Sequence, residues 1–229
     1  WMMDHIMNNR LSLEFGQTFT RIPLKKSPHI LHADALETDW EEFLPAKKCD
    51  YIFGNPPFYG AKQQSEKQRQ QIREIANLGR SGGTLDYVSS WFICAGRYSK
   101  GRQIRIVFVS TNSITQGEQV GQLWPILFDQ CGLEISFAHR TFAWGSEARG
   151  MAHVHVVVIG LVNREHAPRS KKLFSYENVK GEPDESHCAA LSPYLFDASN
   201  LSNPHLIVEE TSRPINGLRR LKTGVQMID

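Results

Sequence analysis

Apolar and polar positions divide this chain into strand-like runs, helical faces and polar stretches. Met3, Met7, Leu11 and Phe15 recur every fourth residue, which predicts an amphipathic helix at the start. "PHILHADAL" (28–36) predicts a short buried strand ending in polar residues, and "WEEFL" a helical turn. "DYIFG" (50–54) predicts another strand, and "QIRIVFVS" (103–110) is the clearest buried one. "LEISFAHR" (133–140) and "HVHVVVIGLV" (153–162) predict two more, separated by "TFAWGSEARGM". Helical patterns lie between them. Leu85, Val88, Phe92 and Ala95 share one face, and the stretch from about Gln116 to Gln130 predicts a helix kinked at Pro125. Residues 61–76 are mostly polar, with Ile72 and Ile75 as apolar anchors, so a solvated helix or a mobile lid is expected there. Strands alternating with helices predict an α/β layered fold with a largely parallel sheet. After about Asn163 the periodicity dissolves into loop-like sequence, without internal repeats.

Composition changes this picture in few places. The 229 residues suffice for one large domain, or a domain plus part of another. No apolar run reaches the length of a membrane span and no signal-peptide pattern is present, so a cytoplasmic protein without a membrane partner is expected. Cys49, Cys94, Cys131 and Cys188 are widely spaced, which reads as reduced thiols and not as a disulfide or zinc framework. A net charge of +2 permits a nucleic-acid partner without indicating one. A first residue of Trp suggests an excised piece of a longer protein.

The candidate chemistry sits in "CDYIFGNPPFYGA" (49–61), where a strand runs straight into Asn-Pro-Pro-Phe. Each proline locks φ and removes a backbone donor, and the residue before a proline is held out of the α region. Asn55, Pro56, Pro57 and Phe58 therefore form a stiff extended corner. In a doubly wound sheet, ligands bind at the carboxyl ends of the strands. There the Asn55 side-chain oxygen and the Pro56 carbonyl offer two acceptors in fixed relation, matching an exocyclic amino group with two N–H donors. Accepting both hydrogens draws the nitrogen lone pair out of conjugation and makes the nitrogen a nucleophile. Phe58 adds a flat face for base stacking, worth about 1–3 kcal/mol per base. A rigid turn with a packed aromatic is the plainer explanation, yet Asn-Pro-Pro-aromatic arises by chance in roughly one chain of this length in several hundred.

"GNPPF" resembles the catalytic motif of amino-group DNA methyltransferases that use S-adenosylmethionine. The resemblance covers roughly residues 1–165. "HADAL", "LDYVSSW", "FVSTNSITQGEQV" and "FAHRTFAWGSEARGMAHVHVVVIGL" narrow it to large bacterial enzymes that combine restriction and adenine methylation in one polypeptide (type IIG-like). "LSPYLFDASN" and "RPINGL" are similar to the passage leading into their target-recognition domain. The resemblance implies a Rossmann-like methyltransferase sheet, S-adenosylmethionine as cofactor and double-stranded DNA as partner. It implies that Asn55 and Pro56 hold the amino group of a flipped adenine while Phe58 stacks on it. Phe142 or Trp144 matches the aromatic that closes over the base from the other side; either could equally be ordinary packing. Asp34 matches the residue meeting the cofactor's adenine, although a helix N-cap before Trp40 explains it nearly as well. Asp86 and Tyr87 match a helix start beside the cofactor's methionine end, with a cap and a core aromatic as the even alternative.

The family also has a glycine-rich loop after its first strand, and none is found here; "GRSGG" (79–83) follows a polar helix. The resemblance therefore begins at the third strand. It implies an incomplete sheet lacking two strands, a partial catalytic domain over 1–165, and a linker with the start of a target-recognition region over 166–229. The remaining domains of the parent chain would be needed for activity. Other motifs carry less. His153 and His155 share a strand face without a carboxylate or cysteine nearby, so no metal is expected. The hydroxyls of Ser110 and "NSIT" lack a nucleophile elbow. Asp39, Glu41 and Glu42 form no nuclease-like site, and the clusters Arg169–Lys172 and Arg219–Lys222 could touch DNA phosphates, although short basic runs are more often solvated surface. Methylation of a protein glutamine or an RNA base, and a non-enzymatic DNA-contacting role, remain the competing functions.

Overall fold

The computed structural model describes residues 2–16, 28–79, 84–144 and 154–205. It divides into two units, Trp1–Asp34 and Ala35–Asp229. In the first unit a helix forms as α1 (Met2–Phe15), but Met3, Met7 and Phe15 of its expected apolar face are exposed. It ends at Gly16, whose φ of 65° suits a residue without a Cβ and whose amide returns to the Ser12 carbonyl. Residues 28–34, expected as a buried strand, form none, and Ile30 is 79% exposed. An extended segment becomes a strand only when its backbone groups find a ladder, and no ladder pairs with this one among the described residues.

The second unit contains one six-stranded sheet. Its strands are β1 (Tyr51–Gly54), β2 (Arg105–Thr111), β3 (Leu133–Trp144), β4 (Val154–Asn163), β5 (Lys171–Ser175) and β6 (Asp184–Cys188). They lie in the order β1-β2-β4-β3-β5-β6. Only β1–β2 and β3–β5 are parallel; β2–β4, β4–β3 and β5–β6 are antiparallel. The expectation of a largely parallel sheet is thus corrected to a mixed one. The connection from β3 to β4 spans too few residues for a crossover, which takes a dozen or more, so the two pair as an antiparallel ribbon. The loop-like sequence after Asn163 contributes β5 and β6, whose short runs carry too few apolar residues to show a period.

Helices α2 (Trp40–Phe43), α3 (Glu66–Ala76), α4 (Ser89–Tyr98) and α5 (Gly117–Pro125) accompany the sheet. Asp39 caps α2 by accepting from the amides of Glu41 and Glu42. Ser65 and Gln68 form a reciprocal capping box on α3, and Ile72 and Ala76 bury that helix against the core. The polar stretch is therefore a packed helix and not a loose lid. Pro125 ends α5 and hands over to one π-helical turn, Ile126–Gln130. Leu85, Val88, Phe92 and Ala95, the predicted apolar face, are all buried.

The core is densest where β2 and β4 meet the helices. Ile106, Ile159, Leu161, Phe92, Trp124 and Leu127 have essentially no exposed surface. Gly160 on β4 lies beneath the Phe137 ring of β3, so close that a Cβ there would sit 2.1 Å from Phe137 Cε1. At the far side the Lys171 ammonium joins the Glu134 carboxylate at 3.1 Å and donates to the Ala189 carbonyl at 2.8 Å. That contact fixes β5 and the loop 189–198, whose Leu191, Leu195 and Ala198 are buried.

Candidate active site

β1 delivers the Asn-Pro-Pro-Phe corner to the carboxyl edge of the sheet, beside the end of its parallel neighbour β2. Pro56 is buried, Phe58 half-buried, and Asn55 and Pro57 exposed. Burial of one proline ring anchors the corner, while the Asn55 amide faces outward. Two further segments converge on the residues that follow, and a third, β3, reaches the same level of the sheet two strands from β2.

The first is the start of α4. The Tyr87 amide donates to the Tyr59 carbonyl at 2.9 Å. Gln64 Nε2 donates to both the Tyr59 and the Leu85 carbonyls, at 3.2 and 2.8 Å. The loop after the corner is thereby laced to Leu85–Tyr87. The Tyr87 ring meets Tyr59 and Trp91 edge-on, and its hydroxyl donates to Gln71 Oε1 on α3 at 2.7 Å. Gln71 in turn donates to Glu37 at 3.0 Å.

The second is the end of β2. The Thr111 hydroxyl donates to Asp86 Oδ2 at 3.1 Å, and the Ser113 hydroxyl donates to the same oxygen. The two hydroxyls also touch at 2.8 Å. The Asp86 amide donates to Gln119 Oε1 at 3.0 Å. Asp86 is 7% exposed, and its other oxygen, Oδ1, faces Gly60, where a Cβ would stand 3.6 Å away.

The third is β3. Phe142 and Thr111 are both in register with Val156 of β4, so Phe142 lies level with Thr111 two strands away. At the usual strand spacing that is about 10 Å along the sheet. Phe142 is half-buried and stacked on Tyr176, at 5.1 Å between centroids and 23° between planes. Tyr176 also contacts His139 Nδ1 at 2.8 Å, and the His139 ring lies flat on Phe174 at 4.2 Å. Burial holds the His139 pKa below its ordinary value.

The structure thus brings together Asn55, Pro56, Phe58, Asp86 and Tyr87 at one edge, with Phe142 at the same level of the sheet. Asp34 belongs to the first unit and is exposed, and the cap before Trp40 is made by Asp39, not Asp34. The Trp144 backbone pairs with Val154, while its side chain, together with His153 and the Arg219–Lys222 cluster, lies outside the described residues. Gln64, Thr111 and Ser113 were not predicted as site residues. The signal was present in "STNSIT", a run of hydroxyls directly after the clearest strand, but sequence shows them as nucleophiles without a base and not as donors to Asp86.

A further cleft, of about 710 Å³, opens at the opposite edge, at the amino ends of β1 and β2. Lys47, Arg102, Arg105 and His166 are among its lining residues, and the Arg105 guanidinium sits 5.9 Å over the Tyr51 ring.

The residues present suit a polar, charged cofactor. Gln64 Oε1, Ser89 Oγ and Ser90 Oγ are buried without a hydrogen-bond partner, and all belong to the two segments joined at the Leu85 carbonyl. Such groups call for a water or a ligand. A mixed α/β sheet with this corner at the carboxyl end of an edge strand defines the class: a Rossmann-like methyltransferase fold, present in part. More narrowly, residues 1–175 match the DNA-methyltransferase domain of MmeI, and the chain belongs to that family. It is 34% identical over 227 residues to DNA methyltransferase A of Bacillus subtilis (strain 168), covering 98% of this chain and 24% of that protein. It is also similar to the type IIL restriction-modification enzyme MmeI, solved in complex with DNA. There the TM-score is 0.75 at 46% identity, over 86% of this chain and 26% of that one. The chain therefore spans about a quarter of the length of either relative.

Proposed function

We propose that this chain is the catalytic part of a longer restriction–modification protein that methylates the N6 amino group of adenine in duplex DNA, with S-adenosylmethionine as donor. The observation that carries this reading is the Asn55 corner at the carboxyl end of β1, laced to a buried polar set around Asp86. The Asn55 side-chain oxygen and the Pro56 carbonyl accept the two hydrogens of the target amino group. That places its lone pair toward the methyl donor, and alignment of nucleophile and methyl supplies most of the acceleration. Phe58 stacks on the flipped base, and Phe142 or Trp144 closes over it. Asp86 and Tyr87 line the methionine end of the cofactor. The cofactor supplies an activated methyl group with a good leaving group. Duplex DNA as the partner rests on family membership and on the DNA-bound state of the MmeI enzyme.

The chain by itself is expected to be inactive, since it offers no glycine-rich cofactor loop among its recognisable motifs. In the complete protein, Asn55→Ala is expected to lower transfer of labelled methyl to duplex DNA by about 100-fold or more, with an unchanged melting temperature. Full activity in that variant, or label entering peptide or RNA and not duplex DNA, would reject the assignment.

A further inference from the structure

The loop that follows the Asn-Pro-Pro-Phe corner is closed by one buried side chain, Gln64, which is 5% exposed. Its Nε2 donates to the Tyr59 carbonyl at 3.2 Å and to the Leu85 carbonyl at 2.8 Å. Both partners are acceptors only, so the nitrogen end of the amide must face them. The Tyr59 carbonyl also takes the Tyr87 amide at 2.9 Å, so the backbone next to Phe58 is pinned by two donors. Gln64 Oε1 is left buried without a partner. A buried amide with one end unsatisfied costs stability, and an apolar side chain of equal length would avoid that cost at the oxygen. The value of the amide therefore lies in its two donors, which fix how far the loop of the corner stands from the segment leading into α4.

We infer that Gln64 is a positioning residue for the candidate active site: by tying the Tyr59 and Leu85 carbonyls together, it sets where Phe58 and the acceptors of Asn55 and Pro56 stand relative to the start of α4. This rests on the proposed use of the corner to hold an amino group. It goes further by naming a residue that acts on the alignment without touching the base. The prolines stiffen the corner internally, but they do not fix it as a body against the rest of the sheet. β1 and the buried Pro56 ring anchor it at one end, and the two donors to Tyr59 anchor it at the other. Removing the Gln64 donors loosens only the second anchor, which shifts the corner without unfolding it. Transfer between aligned groups is sensitive to such shifts, since a misplacement of about 1 Å can cost about 100-fold. The competing explanation is that Gln64 only anchors the amino end of α3, a helix already capped by Ser65 and Gln68. That explanation predicts lost stability with unchanged chemistry.

The test is single-turnover transfer of labelled methyl to duplex DNA by the complete protein, with binding and melting measured alongside. Gln64→Met keeps the length of the side chain and removes both donors. Its rate is expected to fall about tenfold or more, while affinities for duplex DNA and for S-adenosylhomocysteine stay within about twofold of the wild-type values. Lys171→Met, on the far side of the sheet, is the control for lost stability and is expected to transfer methyl at the wild-type rate. Gln64→Glu gives a second readout that does not depend on Gln64→Met folding. A carboxylate donates nothing, whereas a protonated carboxyl, the form that burial favours, donates one bond. The rate of Gln64→Glu relative to wild type is therefore expected to rise as the pH is lowered from about 8 to about 6. Wild-type rates in both Gln64 variants, a loss confined to affinity, or a fall shared equally by Lys171→Met overturns the inference and leaves the functional proposal standing. Absence of methyl transfer by the wild-type complete protein overturns both.

Discussion

Among the described residues β1 and β6 are the two edge strands of one sheet, and they present opposite kinds of surface. β6 shows Asp184, Glu185, Ser186 and His187, all exposed, with Glu185 paired to Lys172 at 2.7 Å and to His187 at 3.0 Å. A short edge covered in charge resists pairing with another strand. β1 shows Tyr51, 60% exposed, and Phe53, 80% exposed, and has no strand on its outer side among the described residues. Its inner face is anchored by Ile52 and its carboxyl end by buried Pro56. The edge that carries the candidate chemistry is thus the one with uncovered aromatic surface, while the edge remote from it is closed by local charge. Among the described residues the β6 edge is closed by its own charges, whereas the β1 edge presents aromatic surface in a sheet of which this chain holds only a part.

Both edges depend on the β4–β3 pair between them, so the largest expected effect treats them alike. Gly160→Val would drive side-chain atoms into Phe137, whose ring already occupies the space a Cβ would need. Overpacking of this kind costs about 3 kcal/mol or more. For a chain of this size that lowers the melting temperature by roughly 6–12 °C. Thermal unfolding followed by circular dichroism measures it. A loss below about 1 kcal/mol would show that Phe137 swings away freely and that the β3–β4 pair is loosely packed at this point.

Lys171→Met separates the two edges. It leaves Glu134, 20% exposed in its side chain, without its nearer partner, and only Arg164 at 3.8 Å remains. Breaking a buried pair by removing one member costs about 2–3 kcal/mol here, and adding Glu134→Leu should recover much of it. Amide exchange is expected to accelerate in β5 and β6 and to stay unchanged in β1. Equal acceleration in β1 would mean that the edges are coupled and that the contrast between them is superficial.

How far the sequence reveals each region follows the same division. Strands β2, β3 and β4 and the buried face of α4 were legible because each buries enough apolar residues to show a period. The corner was legible because Asn-Pro-Pro-Phe is rare and its geometry is fixed by two prolines. β5 and β6 were not, because Lys171 is buried by an ion pair and no apolar pattern marks it. Residues 28–36 misled in the opposite direction: Ile30 and Leu31 have strand-like composition, but composition cannot supply the neighbour a strand requires. Thr111 and Ser113 were visible only as hydroxyls, since their partner Asp86 is 25 and 27 residues away in sequence.

A smaller effect sharpens the account of the β3–β5 side. Burial keeps the His139 pKa below 6.5, so the folded state resists a proton that the unfolded chain takes up. Stability is full above about pH 6.5 and declines as the pH falls through that value toward the folded pKa. His205, also lowered by burial and stacked on Phe128 at 4.1 Å, contributes with the same sign. His139→Phe keeps the ring on Phe174 and is expected to flatten part of the decline between pH 6.5 and 5, leaving the share of His205. Chemical denaturation across that range checks it, and an unchanged slope would assign the dependence to other groups.

The smallest expected effect bears most directly on β1. Phe53 is 80% exposed and its neighbour in register, Val107, lies on the inner strand, so little of its ring is buried on folding. Phe53→Ser should therefore change stability by no more than about 0.5 kcal/mol, as at an ordinary surface position. Its effect on association should be larger. An uncovered aromatic on an edge strand favours contact between copies, so the variant is expected to stay monodisperse at concentrations where the wild-type chain begins to associate, as read by light scattering. A stability loss of more than about 1 kcal/mol would show that Phe53 packs against this chain after all. In that case the two edges would be equally finished, and the site strand would owe its position to the chain's own contacts.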